Sequence, residues 1–188
     1  MYTPRSMSAS TELWLVRHGE TTLNASRRLA GWTDPPLTEM GRRQAVALRR
    51  VLEDQVFDQV WSSDLERAVT TAQLAWGEAR PDARLREINF GDLEGLSYDE
   101  VDLAFAELIL EFRGFRIPGG ESHEDFRGRV HGFIDNLAPG RHLLFVHGGV
   151  VRILTQDLGL DHFVATATVV GMDWTDRRIL FVRDSEKG

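Results

Sequence analysis

Two short apolar runs constrain this chain more than any other feature. Residues 13–16 read LWLV and residues 143–146 read LLFV. The first passes straight into Arg17-His18-Gly19-Glu20, the second into His147-Gly148-Gly149. A short unbroken apolar run stopped by glycine reads as a strand buried on both faces, and such strands need helices to cover them. Their polar followers therefore sit at the ends of core strands, where a charge needs a reason to be.

The rest of the pattern supplies the helices. After a Gly-, Thr-, Asn- and Pro-rich loop over 17–36, residues 37–54 place Ala45, Leu48, Val51 and Leu52 at helical spacing behind Thr38, an N-cap residue. The spacing predicts further helices over 63–76, capped by Ser63 or Ser62 and stopped by Gly77, and over 98–115, 118–137 and 150–159. Strands are predicted at 57–63 (FDQVWSS) and 83–88 (ARLREI), and at 168–174 and 177–183 around an Asp-Arg turn. Alternating strands and helices imply a layered α/β fold with a mostly parallel sheet, and the closing hairpin makes the sheet mixed.

Composition removes several chemistries. The chain has 188 residues, 42% hydrophobic and 27% charged, which fits one soluble domain over 1–188. Its net charge of -7 argues against a nucleic-acid or acidic-membrane partner, so any anion site must be local. With no cysteine there is neither disulfide nor thiolate nucleophile, and the one lysine, Lys187, lies in a polar tail away from any motif. Arginine, which grips phosphate bidentately and stays charged, supplies every other cation. No run reaches the roughly 18 apolar residues of a membrane span, and the polar residues 1–10 carry no signal-peptide core; they are expected to be disordered, with Met7 as an alternative start and a cytoplasmic location.

In open α/β sheets ligands bind at the carboxyl ends of strands. Those ends deliver Arg17 and His18, then Ser62 and Ser63 with Arg67 in the next helical turn, then Glu87, then His147, Gly148 and Gly149. Two arginines beside helix N-termini make an oxyanion clamp suited to phosphate. A metal site would want several carboxylates with the histidines, and these arginines would repel the cation, so no metal or cofactor is expected. No strand ends in Asp-x-Asp and no G-x-x-x-x-G-K occurs, which leaves histidine as the nucleophile for phosphoryl transfer.

The blocks LVRHGETTLN, GWTDPPLTEMGRRQA, SSDLERAVTTA, LREINFGDLEG, PGGES and FVHGGVVR, in this order across residues 12–182, resemble the histidine phosphatase (phosphoglycerate-mutase-like) superfamily. The resemblance implies a three-layer α/β/α sandwich. It implies His18 as the nucleophile that becomes phosphohistidine, with Arg17, Arg67 and His147 holding the phosphoryl oxygens and Asn24 adding a hydrogen bond. Glu87 matches the acid that protonates the leaving alcohol and then takes a proton from water. Gly148 offers a backbone N–H to the phosphate, and Trp32, in the loop AGWTD, either packs on the ligand or closes that loop.

The family contains both phosphatases and mutases. Mutases carry a larger insertion after the Glu block and a tail that closes the site against water; here only RDSEKG follows Val182, so a phosphatase is expected. Residues 89–119 are expected to form the substrate-selecting excursion, with Phe105, Leu108, Ile109 and Phe112 turned inward, mostly as core packing, and with Arg113 or Arg116 either meeting a second anionic group or lying on a solvated loop. The blocks look most like small bacterial α-ribazole-5'-phosphate phosphatases of cobalamin nucleotide-loop assembly, whose relatives are broad phosphomonoesterases. The expected substrate is thus a small phosphorylated metabolite. The alternatives are a 2,3-bisphosphoglycerate-dependent phosphoglycerate mutase and a non-catalytic phospho-ligand-binding module. Many relatives are dimers, so a homodimer is compatible, although no exposed apolar stripe demands one. His123, His131, His142 and His162 have no motif partners and read as structural or surface residues.

Overall fold

The computed structural model describes residues 10–161 and 163–184. The expectations for residues 1–10, apart from Ser10, and for His162 lie outside these residues, as does the tail beyond Asp184. Six strands form one sheet: β1 (Thr11–Arg17), β2 (Gln59–Ser62), β3 (Arg80–Pro81), β4 (Gly140–Val146), β5 (Thr168–Asp173) and β6 (Arg178–Asp184). Their order is β3-β2-β4-β1-β5-β6. The β3-β2, β2-β4 and β4-β1 pairs are parallel, while β1-β5 and β5-β6 are antiparallel, which makes the expected mixed sheet.

Alternation along the central strands explains the layers. Leu13 and Leu15 of β1 face one side with Leu144, Val146, Val170 and Met172, where they meet the buried faces of α6 (His123–Ile134) and α7 (Gly148–Gln156). Trp14 and Val16 face the other side with Leu143, Phe145 and Val169, covered by Leu48 and Leu52 and by Ala72 and Ala75 of α4 (Glu66–Ala75). Both faces of β1 and β4 are dry because helices lie on both, the arrangement a continuous apolar run requires.

The helical predictions need three adjustments. The helix expected over 37–54 is two segments, α2 (Glu39–Ala47) and α3 (Arg49–Leu52), meeting at Leu48; Thr38 caps the first by accepting the N–H of Gly41 at 3.0 Å. α4 is not capped by Ser62 or Ser63 as expected. The side chain of Asp34, from a distant loop, accepts the Glu66 N–H, while Ser63 Oγ accepts only from Leu65 in the approach turn. The excursion helix α5 is shorter, Leu103–Glu111, capped by Asp102 and ended by Phe112 in the left-handed region at φ 54°. A four-residue α1 (Thr22–Ala25) breaks the long loop after β1.

The strand expected at 83–88 is absent. Residues Ala83–Leu85 form a 3-10 turn capped by Asp82, and β3 occupies only Arg80–Pro81. The carbonyls of Arg84, Arg86 and Glu87 are instead taken by the guanidinium of Arg129 on α6, so the segment has no ladder to join. Glu87 is therefore on a loop, not at a strand end. Next to it, Gly91 (φ 44°) and Gly120 press backbone on backbone: a Cβ on Gly91 would lie 2.4 Å from the Gly119 carbonyl carbon, and one on Gly120 2.2 Å from the Asn89 oxygen. That contact is why the chain reads NFG and PGG at these two places.

Candidate active site

The central ladder sets the first pair of groups. β1 and β4 run parallel with Arg17 opposite Val146, and the N–H of His18 carries the ladder one step further to the Val146 carbonyl at 3.0 Å. His18 and His147 thus leave adjacent strands at the same level, with ring centroids 5.1 Å apart and planes inclined by 60°. Both rings are buried.

His18 is held through one ring nitrogen. Its Nδ1 lies 2.7 Å from the carbonyl of Gly19, a contact that places the proton on Nδ1 and the lone pair on Nε2. Burial first, then the charges of Arg67 and Arg17, push its pKa well below the ordinary imidazole value, against the opposing effect of the Gly19 bond. The neutral form is thereby the native one. The Gly19 turn is fixed by its N–H donating to Thr71 Oγ1 at 3.1 Å.

Arg67, 1% exposed, is held by three oxygens of one loop: Gly31 O at 2.7 Å, Thr33 O at 3.0 Å and Asp34 Oδ1 at 3.2 Å. Glu94 in turn organises that loop by accepting the N–H groups of Trp32 and Thr33. Arg17 donates to the Val164 carbonyl and packs beside Gly148, where a Cβ would stand 3.2 Å from its Cζ. Among the described residues, Nε of Arg17, Nε of Arg67 and both ring nitrogens of His147 are buried without a protein partner. Buried donors are rarely left unspent, and a tetrahedral oxyanion would use them.

Glu87 lines the same cavity. Its carboxylate accepts the Gly149 N–H at the start of α7, with both oxygens at 3.1 Å, and the Ile88 N–H at 3.0 Å. Asn24 spends its amide oxygen on the N–H and hydroxyl of Thr21, at 3.1 and 2.9 Å, which leaves its NH₂ for a ligand. Trp32 is not brought into the cavity. Its indole N–H donates to the Glu87 carbonyl at 2.9 Å and its ring lies under the Arg86 guanidinium, so it closes the loop.

The cavity has a volume of about 220 Å³. Arg17, His18, Asn24, Arg67, Glu87 and Gly148 contribute the polar part of its wall. Leu29, Phe90, Tyr98, Ile109 and Phe163 contribute the apolar and aromatic part. Arg28 also borders it, but its Nη1 is committed to Glu100 at 2.9 Å and to the Gly95 carbonyl at 2.7 Å. Of the excursion residues expected to turn inward, Ile109 and Phe112 are buried, Phe105 is partly so and Leu108 is exposed; Arg113 and Arg116 are solvent-exposed. Sequence reasoning missed Tyr98, Phe163, Asp34 and Glu94. The Phe163 wall is carried by Arg152, which stacks on its ring at 4.6 Å and pairs with Asp161 at 2.7 Å. Glu20, left without a role by the sequence, accepts the Thr38 hydroxyl at 2.7 Å and ties the His18 loop to α2. Of the unassigned histidines, His142 is buried against the Ala138 carbonyl and His131 lies 2.9 Å from Asp157, while His123 packs against Phe115; none borders the cavity.

The comparisons with known proteins agree with this geometry. The sequence model of the histidine phosphatase superfamily (branch 1) matches residues 13–183. The probable phosphoglycerate mutase GpmB of Yersinia pestis (strain Pestoides F) is 37% identical over 159 residues, covering 78% of this chain and 74% of that protein. The crystal structure of a phosphoglycerate mutase from Thermus thermophilus superposes with a TM-score of 0.86 at 46% identity, covering 91% and 97% of the two chains. A protein of Escherichia coli str. K-12 provisionally named alpha-ribazole-5'-P phosphatase superposes with a TM-score of 0.78 at 27% identity, covering 93% and 95%.

Proposed function

The chain belongs to the histidine phosphatase superfamily, and we propose that within it this protein is a metal-independent phosphomonoesterase working through a phosphohistidine at His18. The observation that carries the reading is the convergence of unspent buried donors from Arg17, Arg67 and His147 around an imidazole whose Nδ1 is already occupied. The donor set also speaks for metal independence: the guanidiniums of Arg17 and Arg67 repel a cation, and one carboxylate beside two imidazoles is a poor cage for one.

Two balanced steps follow. His18 Nε2 attacks phosphorus as the P–O bond to the alcohol breaks, and Glu87 delivers its proton to the departing oxygen. Water then attacks the phosphohistidine, the Nε2–P bond breaks, and Glu87 takes the water's proton as inorganic phosphate forms. The charge spread over the three equatorial oxygens is met by Arg17, Arg67, His147 and the Asn24 amide, which supply most of the catalysis by position and charge.

The apolar part of the wall supports a phosphatase with a largely apolar alcohol. Phosphoglycerate carries a carboxylate that wants a free cation, whereas Arg28 shares its Nη1 with Glu100 and the Gly95 carbonyl, and Leu29, Phe90, Ile109 and Phe163 of the lining are aliphatic or aromatic. Stacking against Tyr98, Phe90 and Phe163 suits an aromatic aglycone, and α-ribazole 5'-phosphate is the candidate substrate, acted on in the cytoplasm where such metabolites are made. The names of the Thermus and Yersinia relatives favour a second reading, phosphoglycerate mutase. A panel of phosphomonoesters including α-ribazole 5'-phosphate and both phosphoglycerates, compared by kcat/KM, separates the two. Release of inorganic phosphate with α-ribazole phosphate preferred supports the phosphatase; bisphosphate-primed interconversion without phosphate release overturns it. Labelled substrate should leave an acid-labile, base-stable mark that His18→Ala abolishes, and inhibition by a chelator would count against the metal-independent step.

A further inference from the structure

Arg129 lies on α6, outside the cavity, yet every N–H of its guanidinium is spent on the segment that carries Glu87 or on that segment's anchor. Nη1 donates to the carbonyls of Arg84 at 3.0 Å and Arg86 at 2.9 Å. Nη2 donates to the Glu87 carbonyl at 3.0 Å and to Glu121 Oε2 at 2.8 Å, and Nε donates to Glu121 Oε1 at 2.8 Å. That exhausts the five donors of an arginine. Glu121 Oε2 also accepts the Asn89 N–H at 2.9 Å, and the Glu121 N–H donates to the Asn89 carbonyl at 3.0 Å.

The chain from 84 to 89 is therefore gripped on both sides of Glu87. Beyond the 3-10 turn at Ala83–Leu85 this irregular segment has no strand partner, so its own backbone adds little rigidity around Glu87. We propose that Arg129 and Glu121 are positioning residues for Glu87, a clamp that sets the main chain from which the proton-transferring carboxylate reaches Gly149. A lysine cannot substitute: it offers three donors on one nitrogen in place of a planar fork spanning carbonyls and a carboxylate. Both partners are mostly buried, with side chains 16% and 15% exposed, so solvent does not compete strongly for these bonds. The inference rests on the acid role of Glu87 proposed above.

The test uses the leaving group as the reporter. In Arg129→Lys and Glu121→Gln, turnover of alkyl phosphates should fall about 10²-fold, the scale of general-acid catalysis. p-Nitrophenyl phosphate, whose leaving group hardly needs a proton, should lose no more than roughly fivefold on the same reasoning. On alkyl phosphates, Glu87→Gln combined with Arg129→Lys should be no slower than Glu87→Gln alone, because residues acting through one group are not additive. Equal losses on both substrates, or multiplying losses in the double variant, overturn the clamp. If Arg129→Lys does not fold, Glu121→Gln, which keeps the shape of the pair, decides alone by the same split. The two readings fail separately: if Glu87→Gln itself shows no leaving-group split the acid role falls, and if it does while the clamp variants do not, only the clamp falls.

Discussion

The carboxylate of Glu87 sits directly over the N–H of Gly149, with both oxygens 3.1 Å from the nitrogen. A Cβ on residue 149 would lie 2.2 Å from Glu87 Oε1, and what must yield is the flexible end of a side chain, not backbone. Gly149→Ala is therefore expected to fold with a Tm close to that of the parent while pushing the carboxylate off its seat. Turnover of alkyl phosphates should drop by roughly 10- to 100-fold, with p-nitrophenyl phosphate largely spared. Unchanged turnover of glycerol phosphate would mean that this contact has no part in the reaction.

Stability should fall on mild acidification. Burial is the main cause holding both His18 and His147 well below the ordinary imidazole value of 6.5. In the unfolded chain both take a proton near that pH; in the folded chain neither does. The unfolded state thus binds more protons, and stability present above pH 6.5 is lost as pH falls below it. Each histidine adds a slope of about 1.4 kcal/mol per pH unit, and His123 and His131, also lowered by burial, act in the same direction. Guanidinium denaturation at pH 8 and 5.5 measures the effect, and His147→Asn should reduce it; a flat profile in the parent would refute the assignment.

In the proposed mechanism the same lowering keeps His18 competent as the nucleophile in acid. A histidine of ordinary pKa would lose its lone pair through pH 6.5, whereas kcat/KM here, corrected for ionisation of the substrate, should show no break there. A clear inflection at that pH, abolished in no variant but those of His18, would contradict the neutral buried imidazole.

Asp34 serves both helix and ligand, capping α4 through the Glu66 N–H and pairing with Arg67 at 3.2 Å. Asp34→Ala should cost about 1–2 kcal/mol of folding free energy, the usual loss on deleting a helix cap. Loosening one of three anchors on Arg67 should also raise KM by roughly fivefold, about 1 kcal/mol of binding. Denaturant unfolding and steady-state kinetics report the two effects independently.

Phe163 lines the cavity and has no role in the proposed phosphoryl-transfer step. Removing the Phe163 ring in Phe163→Ala should raise KM for aromatic alcohols by roughly fivefold and leave glycerol phosphate within about twofold, since only the former would stack on it. A uniform loss across substrates would instead assign Phe163 to the fold.

His18, Arg17, Arg67 and His147 are legible because each follows an apolar run or a helix start at a position where an isolated polar residue is costly. Glu87 is legible as a residue but not as a place, because ARLREI has a strand's composition and its loop leaves no mark of its own. The backbone partner that decides against a strand is Arg129, 42 residues away. The same holds for Asp34 capping a helix 32 residues on and for Glu94 organising Trp32 across 62 residues. Such side-chain-to-backbone contacts leave no periodic trace, so a pattern reading passes over them. The absence of a strand also explains why the third expected strand end had to be replaced by a clamp.

The order β3-β2-β4-β1-β5-β6 has a consequence for how such a protein can change. Arg17, His18, Arg67 and His147, the proposed nucleophile and phosphate-holding groups, hang from β1, β4 and the helix after β2, in the middle of the sheet, where the ladders fix them. The apolar part of the cavity wall comes from Leu29, from residues 90–109 and from Phe163, segments outside the named strands. On the proposed function, insertion or substitution there would alter what is accepted without moving what reacts. Heredity can thus rewrite the appetite of this fold while leaving its teeth in place.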